Sequence, residues 1–301
     1  MPTYLPFDPN PRAPEHRVPH GACDSQFHVL GDPVTYPVRP GAMYEMPEAT
    51  VHKLLHMHRT LGIERGVIVQ PTTYGADHQV TLDGLKIAGP GYRACANASV
   101  FQEMDDGYIA KLDAAGVKGA RFSRGSLGID FSPADLDRAF ARIEELGWYA
   151  KIQPETDGIA SVIGRYEKLR VPVLMDHLGR PDPAKGKSDP NLQKVIELLR
   201  RGNFWVMLSL VEKISKGPAG GGQATSPPWD DVIPAARAII EAARDRVVWA
   251  SDWPHPVSVK QPPNEGELMD FLWRCTNDDA ERRKILVDNP AVLFGFAASG
   301  G

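Results

Sequence analysis

Short apolar runs alternate with amphipathic segments from one end of the chain to the other. Eight runs read as strands: "GACDSQFHVLGD" (21–32), "GVIVQP" (66–71), "YRACANASV" (92–100), "VKGARFSR" (117–124), "WYAKIQPE" (148–155), "VPVLMDHLG" (171–179), "NFWVMLSLV" (203–211) and "VVWASDWPH" (247–255). Apolar stretches of this length are the pattern of strands covered on both faces. The segments between them change to helical period. In "SPADLDRAFARIEELG", Ser132 stands where an N-cap belongs, and Leu136, Phe140, Ile143 and Leu146 share one face. "DPNLQKVIELLRRG" closes on Arg-Arg-Gly, a helix stop signal. Eight strands, each followed by a helix, predict an α/β fold, a (β/α)8 barrel of the TIM type. The proline-rich opening, residues 1–20, is expected to be an extended arm, with one barrel over 21–301.

Composition narrows the setting. With 301 residues, 42% of them hydrophobic and 24% charged, the chain can bury one large core without a second domain. Its net charge is −4 and its Lys and Arg residues are scattered, so no basic stripe predicts nucleic-acid binding. No apolar run approaches the ~20 residues of a membrane span. The opening lacks the apolar core of a signal peptide, and the three cysteines (Cys23, Cys95, Cys275) are odd in number and far apart. A reduced, cytoplasmic protein is the expectation. No dimer stripe marks the predicted outer helices, so monomer and homo-oligomer both stay open.

Enzymes with this fold work at the C-terminal ends of the strands. Those ends carry Gln26 and His28, then Thr72, Thr73 and Tyr74, Arg121 and Arg124, Gln153 and Glu155, His177 and Arg180, and Asp252 and His255. This gathering of polar side chains on one rim predicts an enzyme. Asp24, Gln26 and His28 alternate along the first strand and are expected to point the same way. Other features carry less. His52 and His56 have the i, i+4 spacing of a zinc pair with His58 nearby, but they fall on an outer helix with no glutamate between them. "GPAGGGQATSPP" (217–228) lacks the ending of a phosphate loop and reads as a flap or linker, and Ser126 in "RGSLG" lacks nucleophile-elbow spacing.

The pieces "DSQFHVLG", "VIVQPTTYGAD", "GARFSR", "MDHLGRPDPAKG", "ASDWPHP" and "LVDNPAVLFGF" resemble, in order and at the expected strand ends, the amidohydrolase superfamily. Within it they are most similar to the 2-pyrone-4,6-dicarboxylate lactonase-like branch, from about Gly21 to Phe296. The resemblance implies roles. His28 matches the second histidine of the strand-one motif, and His177 the strand-six histidine. Asp252 matches the aspartate that prepares the hydrolytic water, and Arg121 an arginine that holds a substrate carboxylate. Tyr44 and Thr72 match further substrate contacts, while Arg180, His255 and Tyr74 fall in shared motifs around the pocket. Three positions depart from the branch: Gln26 replaces the first strand-one histidine, Leu127 a second arginine (with Arg124 offset nearby), and Gln153 a strand-five tyrosine.

A catalytic zinc typically needs three His, Asp, Glu or Cys ligands. Gln26 is a poor ligand and strand five offers only Lys151, Gln153 and Glu155, so no catalytic metal is expected; a zinc on His28, His177 and Asp252 is the alternative. The expected reaction is hydrolysis of a small carboxylated lactone. Asp252 would take the water proton, His28, His177 and the Gln26 amide would polarise the carbonyl, and Arg121 and Arg124 would bind the carboxylate. Rival readings are a lactone isomerase acting on sugar-acid lactones, a metal-dependent decarboxylase, and a non-catalytic carboxylate-binding barrel. An aspartate at 252 favours hydrolysis, the missing histidine disfavours the decarboxylase, and turnover of any lactone would exclude the binding protein.

Overall fold

The computed structural model describes residues 4–42, 44–123, 130–217 and 226–297. Arg124, Ser126, Leu127 and most of the glycine-rich stretch 217–228 lie outside the described residues. Eight parallel strands run in sequence order: β1 Cys23–Phe27, β2 Arg65–Val69, β3 Tyr92–Asn97, β4 Val117–Phe122, β5 Tyr149–Ile152, β6 Val173–Met175, β7 Phe204–Leu208 and β8 Val247–Trp249. Helices α1 Val51–Leu61, α2 Gln79–Ala88, α3 Asp106–Ala115 and α4 Pro133–Leu146 follow the first four strands. Helices α5 Pro190–Leu199, α6 Ile233–Ala242 and α7 Glu265–Cys275 follow the last three. The chain is therefore the α/β (β/α)8 barrel that its periodicity predicts.

Each strand is shorter than its apolar run, because the run continues into the rim. The run at 171–179 stops pairing at Met175, and His177 and Leu178 turn at φ 53° and 54°. One crossover departs from the expected helix. Between β5 and β6 the chain makes two 3-10 turns, Ile159–Ser161 and Ile163–Tyr166. Gly158, at φ 101°, lies so close to Asn191 that a Cβ would sit 2.1 Å from that amide. Asn191 in turn bonds the Asp157 carbonyl (2.9 Å) and the Ala160 amide (3.0 Å), so a side chain of α5 pins these turns in place.

Two apolar layers follow from the strand alternation. Cys23, Val67, Val69, Cys95, Tyr149, Leu174, Met207 and Val248 fill the barrel. Phe27, Ile68, Ala96, Ala120, Val173 and Val206 face outward, onto Leu54, Leu61, Leu112, Ile143, Leu198 and Ile239 of the helices. A last helix, α8 Asn289–Phe294, brings Phe294 against Tyr149 at 5.3 Å between rings. Tyr149 opens β5, so this contact plugs the N-terminal mouth and leaves the C-terminal rim for chemistry.

The first strand corrects the expected alternation. Its pairing with β2 shifts between Asp24 and Phe27, an irregularity that reverses which side chains face inward. Asp24 points outward, where its carboxylate accepts from His58 Nε2 (3.3 Å) and Ser251 Oγ (2.5 Å). Gln26 and His28 point inward toward Asp252. The irregularity also helps to close the barrel. Where no ladder joins β8 to β1, the Asp252 amide donates to the Gln26 carbonyl (3.1 Å) and the His28 amide to that of Trp253 (2.7 Å). His58 is thus a core residue, while His52 and His56 are exposed, and the three do not share a site.

Candidate active site

A cavity of about 220 Å³ opens at the C-terminal rim. It is lined by His28, Tyr44, Thr72, Arg121, Gln153, His177, Arg180 and Asp252, all named from the sequence, and by Leu210, Glu212, Lys213 and residues 256–263, which were not. Lys213 sits on a one-turn helix, Val211–Ile214, that no periodic pattern announces. The 256–263 segment, "PVSVKQPP", is apolar and proline-rich and gives no chemical signal in sequence.

Asp252 forms the floor. It follows β8 with φ 60°, a backbone shape that lifts its carboxylate away from the strand direction. Burial alone would raise its pKa, but the adjoining His28 ring, His177 and Lys213 outweigh it and hold the carboxyl well below the usual range. Gln26 Nε2 donates to Asp252 Oδ1 at 2.5 Å, and His28 Nε2 lies 3.6 Å from the same oxygen. Gln26 is fully buried under Asp252 and does not reach the cavity wall. That position corrects its expected role: the amide holds the carboxylate and is not presented to a substrate carbonyl.

The two histidines differ in what they can offer. His28 Nδ1 lies 2.8 Å from the Val69 carbonyl, which only accepts, so the proton sits on Nδ1. In neutral His28 the Nε2 that faces Asp252 therefore carries a lone pair, contrary to the expected carbonyl donor. His177 Nδ1 meets the Ser209 hydroxyl at 2.9 Å; in the tautomer where that hydroxyl donates to Nδ1, Nε2 carries the hydrogen. Burial pushes the His177 pKa down to about 3, so this ring is neutral across ordinary pH.

Cationic side chains line the same cavity. Asp176 accepts from Arg121 Nε at 3.0 Å and pairs with fully buried Lys151 at 2.5 Å. Burial would raise the Asp176 carboxyl, but Lys151 and Arg121 outweigh it and hold it down. With its Nε anchored, Arg121 keeps its two terminal nitrogens for a carboxylate fork. Arg180, at φ 55°, donates its amide to the His177 carbonyl at 2.8 Å, and burial lowers the pKa of its side chain. Lys213 Nζ donates to the Pro256 carbonyl at 2.9 Å. Tyr44 and Thr72 meet at 3.0 Å between their hydroxyls.

Two expected pocket residues lie elsewhere. Tyr74 ends the 3-10 turn Thr72–Tyr74 and packs into the outer core. His255 is fully buried behind the site, because the turn from Asp252 swings it away at φ 60°. It lies 3.2 Å from Glu265 and 3.6 Å from Glu212. Burial would lower its pKa, yet the two carboxylates raise it to about 9.

A resident metal would need a donor set of its own. Among the described residues, no three His, Cys, Asp or Glu side chains are grouped to hold one. Gln26 is tied to Asp252 and Lys151 to Asp176, so neither supplies the missing ligand. The described residues do not fit a metal.

Comparison with known proteins places this geometry. A family model described as amidohydrolase matches residues 23–296. The chain is 33% identical over 300 residues to 4-sulfomuconolactone hydrolase of Hydrogenophaga intermedia, covering 95% of each. It is 34% identical over 297 residues to 2-pyrone-4,6-dicarboxylate hydrolase of Comamonas testosteroni, covering 97% of this chain and 96% of that one. An apo crystal structure of an Agrobacterium tumefaciens protein superposes with a TM-score of 0.80 at 27% identity, over 95% of this chain and 100% of the other.

Proposed function

The chain belongs to the amidohydrolase family, matched over residues 23–296, and on that premise we propose that it is a hydrolase that opens a small carboxylated lactone with water. The lactone-hydrolase names of the two relatives that align over nearly the whole chain support the reaction class. The observation that carries the proposal is the charge of the cavity: the ionised Asp252 and two imidazoles share it with three cationic side chains, Arg121, Arg180 and Lys213. A substrate whose anionic group is held by these cations would present its ester carbonyl to Asp252.

In this reading a water on the cavity side of Asp252 and His28 donates one hydrogen to the carboxylate and the other to the His28 Nε2 lone pair. Its oxygen attacks the carbonyl carbon while one proton passes to Asp252. The carbonyl oxygen gains the electron pair and accepts a hydrogen bond from His177 Nε2–H; one such donor is typically worth about 3–4 kcal/mol in the transition state. The ring C–O bond then breaks, and the departing oxygen takes the proton back from Asp252. The product is an open-chain acid bearing a hydroxyl, or a ketone where the departing oxygen was enolic. Gln26 keeps Asp252 aligned throughout, and Asp176 does the same for Arg121.

The test is a panel of carboxylated lactones and pyrones, followed by proton release with and without a chelator. Turnover of at least one member, unaffected by chelation, is expected. Activity that disappears with chelation and returns with zinc would replace this account with a mononuclear zinc site on His28, His177 and Asp252. No turnover across the panel would sink the reading.

A further inference from the structure

The N-terminal arm lies across the roof of the cavity. Residues 4–22 form neither helix nor strand, yet they touch the site's surroundings at successive points. The Tyr4 ring meets the edge of Tyr44 at 6.4 Å, and Tyr44 lines the cavity. The Leu5 amide donates to the Ser258 carbonyl at 2.9 Å, and Ser258 lines it too. Phe7 packs on Trp253, next in sequence to Asp252, at 4.6 Å between rings. The Asp8 carboxylate and the Asn10 carbonyl both accept from Asn264 Nδ2, each at 3.0 Å. Asn264 caps α7 and directly follows the lining segment. Further along, Arg12 pairs with Asp270 at 2.6 Å and the Glu15 amide donates to the same side chain at 2.7 Å, which fastens the arm to α7.

The segment beneath needs such a support. Residues 256–263 carry prolines at 256, 262 and 263, so three positions have no N–H to give. Val257 holds φ 59°, a costly shape for a β-branched residue that persists only where its surroundings impose it. Val259 is 67% exposed. Among the hydrogen bonds that join the segment to the barrel's own rim are Ser258 Oγ to the His255 carbonyl (2.7 Å), Lys213 to the Pro256 carbonyl (2.9 Å), and the Val257 amide to Met46 Sδ (3.3 Å).

We propose that residues Tyr4–Asp8 are positioning residues of the active site: the arm straps the 256–263 roof, Tyr44 and Trp253 into the arrangement that encloses substrate. The kinetic side of this proposal rests on the lactone-hydrolase reading, whereas its structural side does not. Two variants test it: a chain lacking residues 1–10, which keeps the Arg12 and Glu15 anchors, and the full chain with Phe7→Ala, with Phe7→Leu as the conservative rescue. Amide hydrogen exchange at Ser258–Gln261 should speed up in the truncated chain and in Phe7→Ala, and return toward the parent in Phe7→Leu. KM for a carboxylated lactone should rise about tenfold, the size expected from losing one hydrogen bond and one ring contact, with kcat changed much less. Unchanged exchange in the roof, or equal losses in kcat and KM performance for all substrates, would overturn the strap. A parent protein that hydrolyses no lactone would end the functional reading, while the exchange measurement would still decide the strap.

Discussion

Asp252 and Arg121 have opposite tasks at the scale of single residues. Asp252 carries a buried charge that its neighbours favour, so it is ionised well below its ordinary value of 3.8. Asp252→Asn keeps the shape and the contact with Gln26 but removes the proton acceptor. Its kcat should fall by about 10²–10⁴-fold, the usual size of general-base catalysis, with substrate still bound in a titration. A variant that keeps more than a tenth of kcat would take Asp252 out of that role. The same low pKa means that the parent enzyme shows no acid limb from this group above pH 3.8. Arg121 has its Nε fixed by Asp176, so Arg121→Ala removes the fork. It should cost about 2–5 kcal/mol in kcat/KM on carboxylated substrates. A neutral lactone should feel much less, and equal losses on both would make Arg121 a purely structural partner of Asp176.

At the scale of elements, the decisive join is between the end of β8 and β1. Asp24 accepts from Ser251 twice, through its amide (3.0 Å) and its hydroxyl, and from His58 on α1. One buried carboxylate thereby ties the closing edge of the barrel to the first helix. Asp24→Ala strands four donors inside the protein, the Gln26 amide (3.2 Å) being the fourth. A loss of about 3–5 kcal/mol is expected, the usual result of removing one partner from a buried charged cluster, and denaturant unfolding would measure it. Because Gln26 and His28 lie two and four residues on, activity should fall along with stability. A variant as stable as the parent would show that the β1 irregularity holds its shape without Asp24.

For the whole molecule, buried histidines set how stability varies with pH. Burial holds His177 neutral down to about 3 and His78 down to about 4, whereas the unfolded chain protonates both near 6.5. The unfolded state then binds more protons below 6.5, and stability is lost as the pH falls. His255 behaves in the opposite way. Burial would lower it, but Glu212 and Glu265 raise it to about 9, so its contribution is complete below 6.5 and is lost as the pH rises through about 9. The melting temperature should therefore be highest near pH 6.5 and fall on both sides. His255→Gln should flatten the alkaline side; a melting temperature that climbs steadily from pH 6.5 to 9 would contradict the assignment.

Much of this was legible in the order of residues. The eight apolar runs, the helical periods between them and the polar residues at the run ends are local patterns, and local patterns are what backbone geometry and burial impose directly. Hence the barrel, its strand order and the company of His28, Arg121, His177, Arg180 and Asp252 could be read without coordinates. Other features depended on partners distant in sequence. The parity of β1 is reversed by an irregularity whose outward Asp24 is secured by His58 and Ser251, so Gln26 came to rest under Asp252. His255 was drawn away from the cavity by Glu212 and Glu265, and Tyr74 by the outer core. Lys213 and the 256–263 roof entered the site through segments without periodicity, and the arm found the roof by contacts spanning some 250 positions. Periodicity determines which residues are buried together; left-handed turns, strand irregularities and ion clusters decide which way each one faces, and those are settled only when the chain closes on itself.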